Sequence, residues 1–125
     1  MANTDLLVIQ KAKALALHSF KITSNINHYP KKYRHSLVDR IQIRSLDIYD
    51  ALREANNISN KTHCAERCKE ITKSISYCEH LMFYIELSMN LHLISAESAQ
   101  HWTSMVKDIK YMSLAWRTSE LSKLI

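Results

Sequence analysis

"THCAERCKEITKSISYCEHLMFYIELSMNLHL", Thr62 to Leu93, places a cysteine or an apolar residue at 64, 68, 71, 75, 78, 82, 85 and 89. The spacings alternate between four and three without a miss. That pattern predicts a long amphipathic helix whose seam, Cys64, Cys68, Ile71, Ile75, Cys78, Met82, Ile85 and Met89, faces a core. Upstream, "NNISNKT" (Asn56–Thr62) breaks the periodicity, because Asn and Ser offer the backbone competing local hydrogen bonds. Downstream, "SAES" opens another segment, with Ser95 as N-cap and Glu97 favoured by the dipole of the first turn.

The same reading extends to both ends. A first helix is expected from about Thr4 to Asn25, with Leu7, Ala14, Leu17 and Ile22 inward. A second follows Pro30, over about 31–55, with Leu37, Ile41, Ile48 and Leu52 in one sector. The third covers about 62–93, and the fourth about 95–118 with Trp102, Val106, Ile109 and Trp116 inward. The 125 residues contain no glycine and one proline, where an average chain of this length has about nine glycines. Without them tight turns and bulges are hard to make, so long helices with short links are favoured. The expected architecture is all-α: a single domain over 1–125, folded as an antiparallel up-down-up-down four-helix bundle.

Several functions lose their chemistry here. None of the seven glutamates has a histidine three residues later, and no two histidines are four apart. The di-metal carboxylate centre of helical bundles and the zinc-protease helix are therefore missing. The phosphate-cradling and nucleophile-elbow loops need glycine. Cys64 and Cys68, with His63 beside them, suggest metal ligands, but both cysteines lie on the apolar seam and His63 points about 100° away. Buried thiols fit them better, so no catalytic residue, metal or cofactor is expected. No apolar run reaches the roughly 18–20 residues that cross a bilayer. No secretory leader is apparent and the cysteine count is odd, so a cytoplasmic protein with reduced thiols is expected.

What remains is surface. "HYPKKYRHSLVDRIQIR" (His28–Arg44) gathers Lys31, Lys32, Arg34, Arg40 and Arg44 around the only proline, and Asp39 alone opposes them. Cations at a helix start oppose its dipole by a few tenths of a kcal/mol or so, a conflict that bound phosphate would relieve. These five residues are the candidate nucleic-acid-binding set, with Tyr29 and Tyr33 as the neighbouring aromatics. The plainer alternative is a solvated face with Arg44 paired to Asp47. A second stripe on the third helix, Tyr77, Phe83, Tyr84, Leu87 and Leu91, lies roughly opposite the seam and is a candidate subunit interface.

"YPKKYRHSLVDRIQIRSLDIYDALREANN" resembles the second-helix signature of the accessory variability determinant family, small four-helix-bundle proteins that accompany reverse transcriptases in diversity-generating retroelements. The matching features are the aromatic-Pro-Lys start, the Tyr-Arg pair, the Leu-x-x-Arg-Ile run and the closing Ala-Asn. "CEHLMFYIELSMNLHLIS" and "MVKDIKYMSLAW" are similar to that family's later helices, and the likeness runs from about Leu7 to Thr118. A sister family encoded in ribosomal RNA intervening sequences shares the fold, but its Ser-Ile-Pro-Ser-Asn run is absent here. The resemblance implies a ring-like homo-oligomer, a homopentamer, that binds the reverse transcriptase, its template RNA and complementary DNA. The basic residues carried over are Lys31, Lys32, Arg34 and Arg40. Met82 and Glu86 stand where that family often has basic residues, and Lys110, Ser113 and Ala115 stand where glycines usually precede the final Trp. A protein-interaction adaptor without nucleic acid is the rival reading.

Overall fold

A computed structural model describes residues 6–59 and 62–124 of the chain. The expected helix start at Thr4 and part of the 56–62 link lie outside them. Four α-helices account for most of the described residues, none of which is in a strand: α1 (Leu7–Thr23), α2 (Asp39–Asn57), α3 (Cys64–Asn90) and α4 (Ala96–Leu121). α1 and α3 each pack against α2 and α4. Along neighbouring helices the partner numbers rise on one as they fall on the other. Lys11 meets Asp108 and Ser19 meets Trp102 between α1 and α4; Cys68 meets Arg117, Ser74 meets Ser113 and Glu79 meets Lys110 between α3 and α4.

The apolar seams of α2 and α4 are buried as the periodicity predicts, with Ile41, Ile48, Leu52, Trp102, Val106 and Ile109 fully enclosed, except that Trp116 near the end of α4 is only partly covered. In α3 the seam holds from Cys64 to Cys78 and then shifts. Leu81, Ile85 and Ser88 are buried, while Met82 and Met89 are only partly covered. A strict seven-residue repeat drifts about 20° per heptad on a straight helix, so the inward face moves off the Met82–Met89 row by the last turns.

α1 departs further. Leu7 and Leu17 are more than half exposed, and Val8, Ile9, Ala12, Leu15 and Ser19 face inward instead. The segment "LVIQKAKALALHSFKIT" is apolar on more than one side, so its own pattern does not choose the face. A hydrogen bond does. The indole Nε1 of the enclosed Trp102 donates to Ser19 Oγ at 3.1 Å, turning the Ser19 side of α1 inward.

The helical stretch after Pro30 does not begin as α-helix. Lys31–Tyr33 forms a 3₁₀ turn with Pro30 as N-cap, Arg34–Val38 forms a π turn, and regular α geometry starts at Asp39. The wide turn rotates the residues before Asp39 relative to the face of α2. At the other end of the molecule Arg67 and Glu120, both nearly buried, are 3.5 Å apart. Arg67 Nε also donates to Ala55 O at 2.9 Å, and Lys123 reaches Glu120 at 2.6 Å, so the buried carboxylate is compensated.

Ser95 caps α4 as expected, accepting from the Ser98 N–H at 3.0 Å. The turn before it shows what a chain without glycine must do. Leu93 N donates to Ser88 O and His92 N to Met89 O, the two bonds of a Schellman motif, with His92 at φ 62° in its left-handed position. Glycine is the residue that adopts this conformation freely. His92→Gly should therefore raise the unfolding free energy by about 0.5–1 kcal/mol in urea denaturation, with an unchanged m-value.

Candidate nucleic-acid interface

The proline corner begins where α1 ends. Ser24 to Tyr29 turn back in a short loop held by Asn27 N donating to Asn25 Oδ1 at 2.9 Å and Tyr29 N to Asn25 O at 2.9 Å. Tyr29 is 3% exposed and acts as the loop's anchor in the core, with burial pushing its hydroxyl above the ordinary range. It is too enclosed to stack on a base. Tyr33 is half-buried, with the Lys32 ammonium 5.2 Å from its ring centroid.

Lys31, Lys32, Arg34 and Arg40 are all exposed, and among the described residues none of them forms an ion pair. The π turn divides them. Lys31 and Arg34 border a cavity of about 380 Å³ shared with the end of α1, lined also by Thr23, Ile26, Val38, Asp39 and Gln42. Arg40 faces the other way, into a groove of about 210 Å³ against α3. Arg44 differs from the rest. Its Nη1 is 2.7 Å from Asp47 Oδ2, its Nε donates to His80 Nδ1 at 3.1 Å, and its guanidinium lies 5.3 Å from the Tyr77 ring centroid. The Arg44–Asp47 pair expected of a plainly solvated face is present.

The α3 stripe divides as well. Tyr77 is half-buried beneath Arg44 and against His80. Phe83 and Leu91 are exposed at 56% and 40%, while Tyr84 and Leu87 pack partly against the core. These last four line the same groove as Tyr33, Leu37 and Arg40. One candidate cation and most of the candidate interface are thus neighbours, which sequence spacing on separate helices did not reveal. A wider cleft of about 780 Å³ between α3 and α4 contains Met82, Glu86 and Lys107.

The residues that complete the corner cavity, Thr23 and Gln42, were missed from the sequence. Thr23 Oγ1 donates to Ser19 O at 2.7 Å, so its single proton is committed and it must accept from Gln42 Nε2, 3.0 Å away. The available signal was only their positions flanking a helix-to-helix link.

No family model matches the chain, and no curated protein matches it. Among solved structures it is similar to the crystal structure of a protein of unknown function from the S23 ribosomal protein family of Bacteroides thetaiotaomicron VPI-5482. The TM-score is 0.79 at 14% identity, covering 89% of this chain and 98% of that one. The shared feature is the helical fold. At that identity the likeness carries nothing about partners.

Among the described residues no helix is long and apolar enough to cross a membrane, and no group of three His, Cys, Asp or Glu side chains is arranged to hold a metal ion. Cys64, Cys68 and Cys78 are buried, and no disulfide joins them. Burial, with the Glu120 carboxylate adding to it, raises Cys68, and burial pushes Cys78 up to about 12 from an ordinary 9.0. The thiolate is the reactive form, so at pH 8 Cys78 in the native protein should alkylate about a thousandfold more slowly than a free thiol, reaching the free rate only in denaturant. Mass spectrometry of iodoacetamide-treated protein checks this.

Proposed function

We propose that this chain is a non-enzymatic, nucleic-acid-binding accessory protein of a reverse transcriptase, supporting mutagenic complementary-DNA synthesis from a template RNA in a diversity-generating retroelement. The observation that carries the nucleic-acid part is the set of four exposed cations at the proline corner, Lys31, Lys32, Arg34 and Arg40, which no carboxylate of the described residues neutralises. Exposed cations without carboxylate partners are what a phosphate backbone needs. The retroelement part rests on the resemblance of the second and third helices given above. Arg44 is left out of the binding set because Asp47 already holds it.

The assembly we propose is a ring of antiparallel up-down-up-down bundles, five in number by that resemblance. Its support in this chain is the apolar groove where Phe83, Tyr84, Leu87 and Leu91 meet Tyr33 and Arg40.

Changing Lys31, Lys32, Arg34 and Arg40 together to glutamate should abolish RNA and DNA binding in a low-salt shift assay while circular dichroism stays unchanged. For the unaltered protein, four phosphate contacts on a single strand give a log K against log salt slope of about −3. A flat salt response, or undiminished affinity of the reversed protein, would favour the adaptor reading. Separately, Tyr84→Glu with Leu87→Glu should reduce the particle mass in light scattering, and an unaltered mass would exclude this groove as the subunit contact.

A further inference from the structure

The corner cavity contains a group that phosphate binding does not explain. Asp39, the sole acid of the basic window, lines it beside Lys31 and Arg34. Its one ion-pair partner among the described residues is His35, whose ring nitrogen is 3.7 Å away on a side chain 87% exposed, a weak and solvent-screened contact. A carboxylate in this position repels a phosphate, so it would weaken a site built only for the backbone.

The neighbouring polar group has the same sense. Because Thr23 Oγ1 spends its proton on Ser19 O, Gln42 must point Nε2 at Thr23, leaving Oε1 as its spare acceptor. The cavity therefore offers two acceptors, the Asp39 carboxylate and Gln42 Oε1, next to two cations, Lys31 and Arg34. Ile26, 63% exposed, and the side chain of Val38 supply apolar wall. At about 380 Å³ it falls at the small end of the roughly 300–1,000 Å³ that ligand clefts occupy.

Among the bases, guanine alone presents two adjacent donors, N1–H and the 2-amino group, with an acceptor, O6, beside them. That edge matches a carboxylate flanked by cations. Adenine and cytosine have one amino group each, next to a ring nitrogen acceptor that the carboxylate repels. Uracil and thymine set one N–H between two carbonyls. In a duplex the guanine edge is occupied by its partner, so only an unpaired base can offer it.

We propose that this cavity takes one unpaired guanine of a single strand, Asp39 accepting from its N1–H and 2-amino edge with Gln42 beside it, and Lys31 and Arg34 holding O6 and the adjoining phosphate. The inference rests on the nucleic-acid reading above and adds base choice to it.

The test uses fluorescence anisotropy with the full chain and labelled oligothymidylates of about nine nucleotides whose central base is guanine, adenine, cytosine, thymine or hypoxanthine. The guanine strand should bind about tenfold more tightly than the adenine, cytosine and all-thymine strands, the discrimination of one good bidentate pair. Hypoxanthine, which lacks only the 2-amino group, should lose most of that advantage. Asp39→Asn should remove the preference while affinity for the all-thymine strand is retained or rises, the repelling charge being gone, and circular dichroism is unchanged. Equal affinity for all five strands, or a guanine preference that survives both Asp39→Asn and Gln42→Ala, overturns the proposal and leaves the phosphate-binding corner standing. Absence of binding to any strand at low salt overturns the nucleic-acid reading itself. Guanosine 5′-monophosphate should compete only at concentrations well above those of the strand; competition at equal concentration would assign the cavity to a free nucleotide and overturn the strand.

Discussion

The structure turns on one buried hydrogen bond, from the Trp102 indole to Ser19 Oγ. Trp102 is fully enclosed, so its N–H must find a protein acceptor or be left unsatisfied at a cost of about 1–3 kcal/mol. Meeting that need orients α1 against α4. The consequence passes along α1: Thr23 bonds back to Ser19 O, and Gln42 of α2 bonds to Thr23. Three helices are thereby held by a short polar chain that begins in the core and ends in the wall of the corner cavity. The candidate site is positioned by the packing of a tryptophan on a distant helix rather than by its own loop.

At that corner four exposed cations, Lys31, Lys32, Arg34 and Arg40, fall within one short stretch and form no ion pair among the described residues. Elsewhere on the surface several cations find carboxylates, Lys11 with Asp108, Arg44 with Asp47, Lys73 with Glu70 and Lys110 with Glu79, while others such as Lys21, Lys69 and Lys107 stand exposed as the corner cations do. Even the buried Arg67 has Glu120 and two backbone carbonyls. Such exposed pairs contribute little stability, but they cancel long-range field. Around Pro30 none of the four cations forms such a pair among the described residues, and the π turn sets them on two sides of one helix start.

Legibility in the sequence followed the range of the physics. The seams of α2 and α4 and the first half of the α3 seam were readable, because burial repeats with the helix period and needs only neighbours three or four residues away. The cap at Ser95 was readable for the same reason. The end of the α3 seam was not: a heptad pattern and a 3.6-residue helix part company over several turns, and Met82 and Met89 were left at the edge. The start of α2 was misread as plain α-helix, since nothing in "PKKYRHSLV" announces a π turn. Tyr29, one of the two aromatics beside the cations, is consumed as a core anchor.

By itself the sequence determined the helical character, the number of helices, the place of the turns and the gathering of cations beside the proline. These follow from local terms: periodicity, propensity, the lack of glycine and simple proximity along the chain. Tertiary structure alone decided which apolar side of α1 is buried, that Arg44 reaches across to His80 of α3, and which side chains meet in the corner cavity. Those outcomes depend on contacts such as Ser19 with Trp102, Thr23 with Gln42 and Arg44 with His80, between residues 83, 19 and 36 positions apart. No repeat in a single helix encodes such pairings, because each is set by the packing of a different helix.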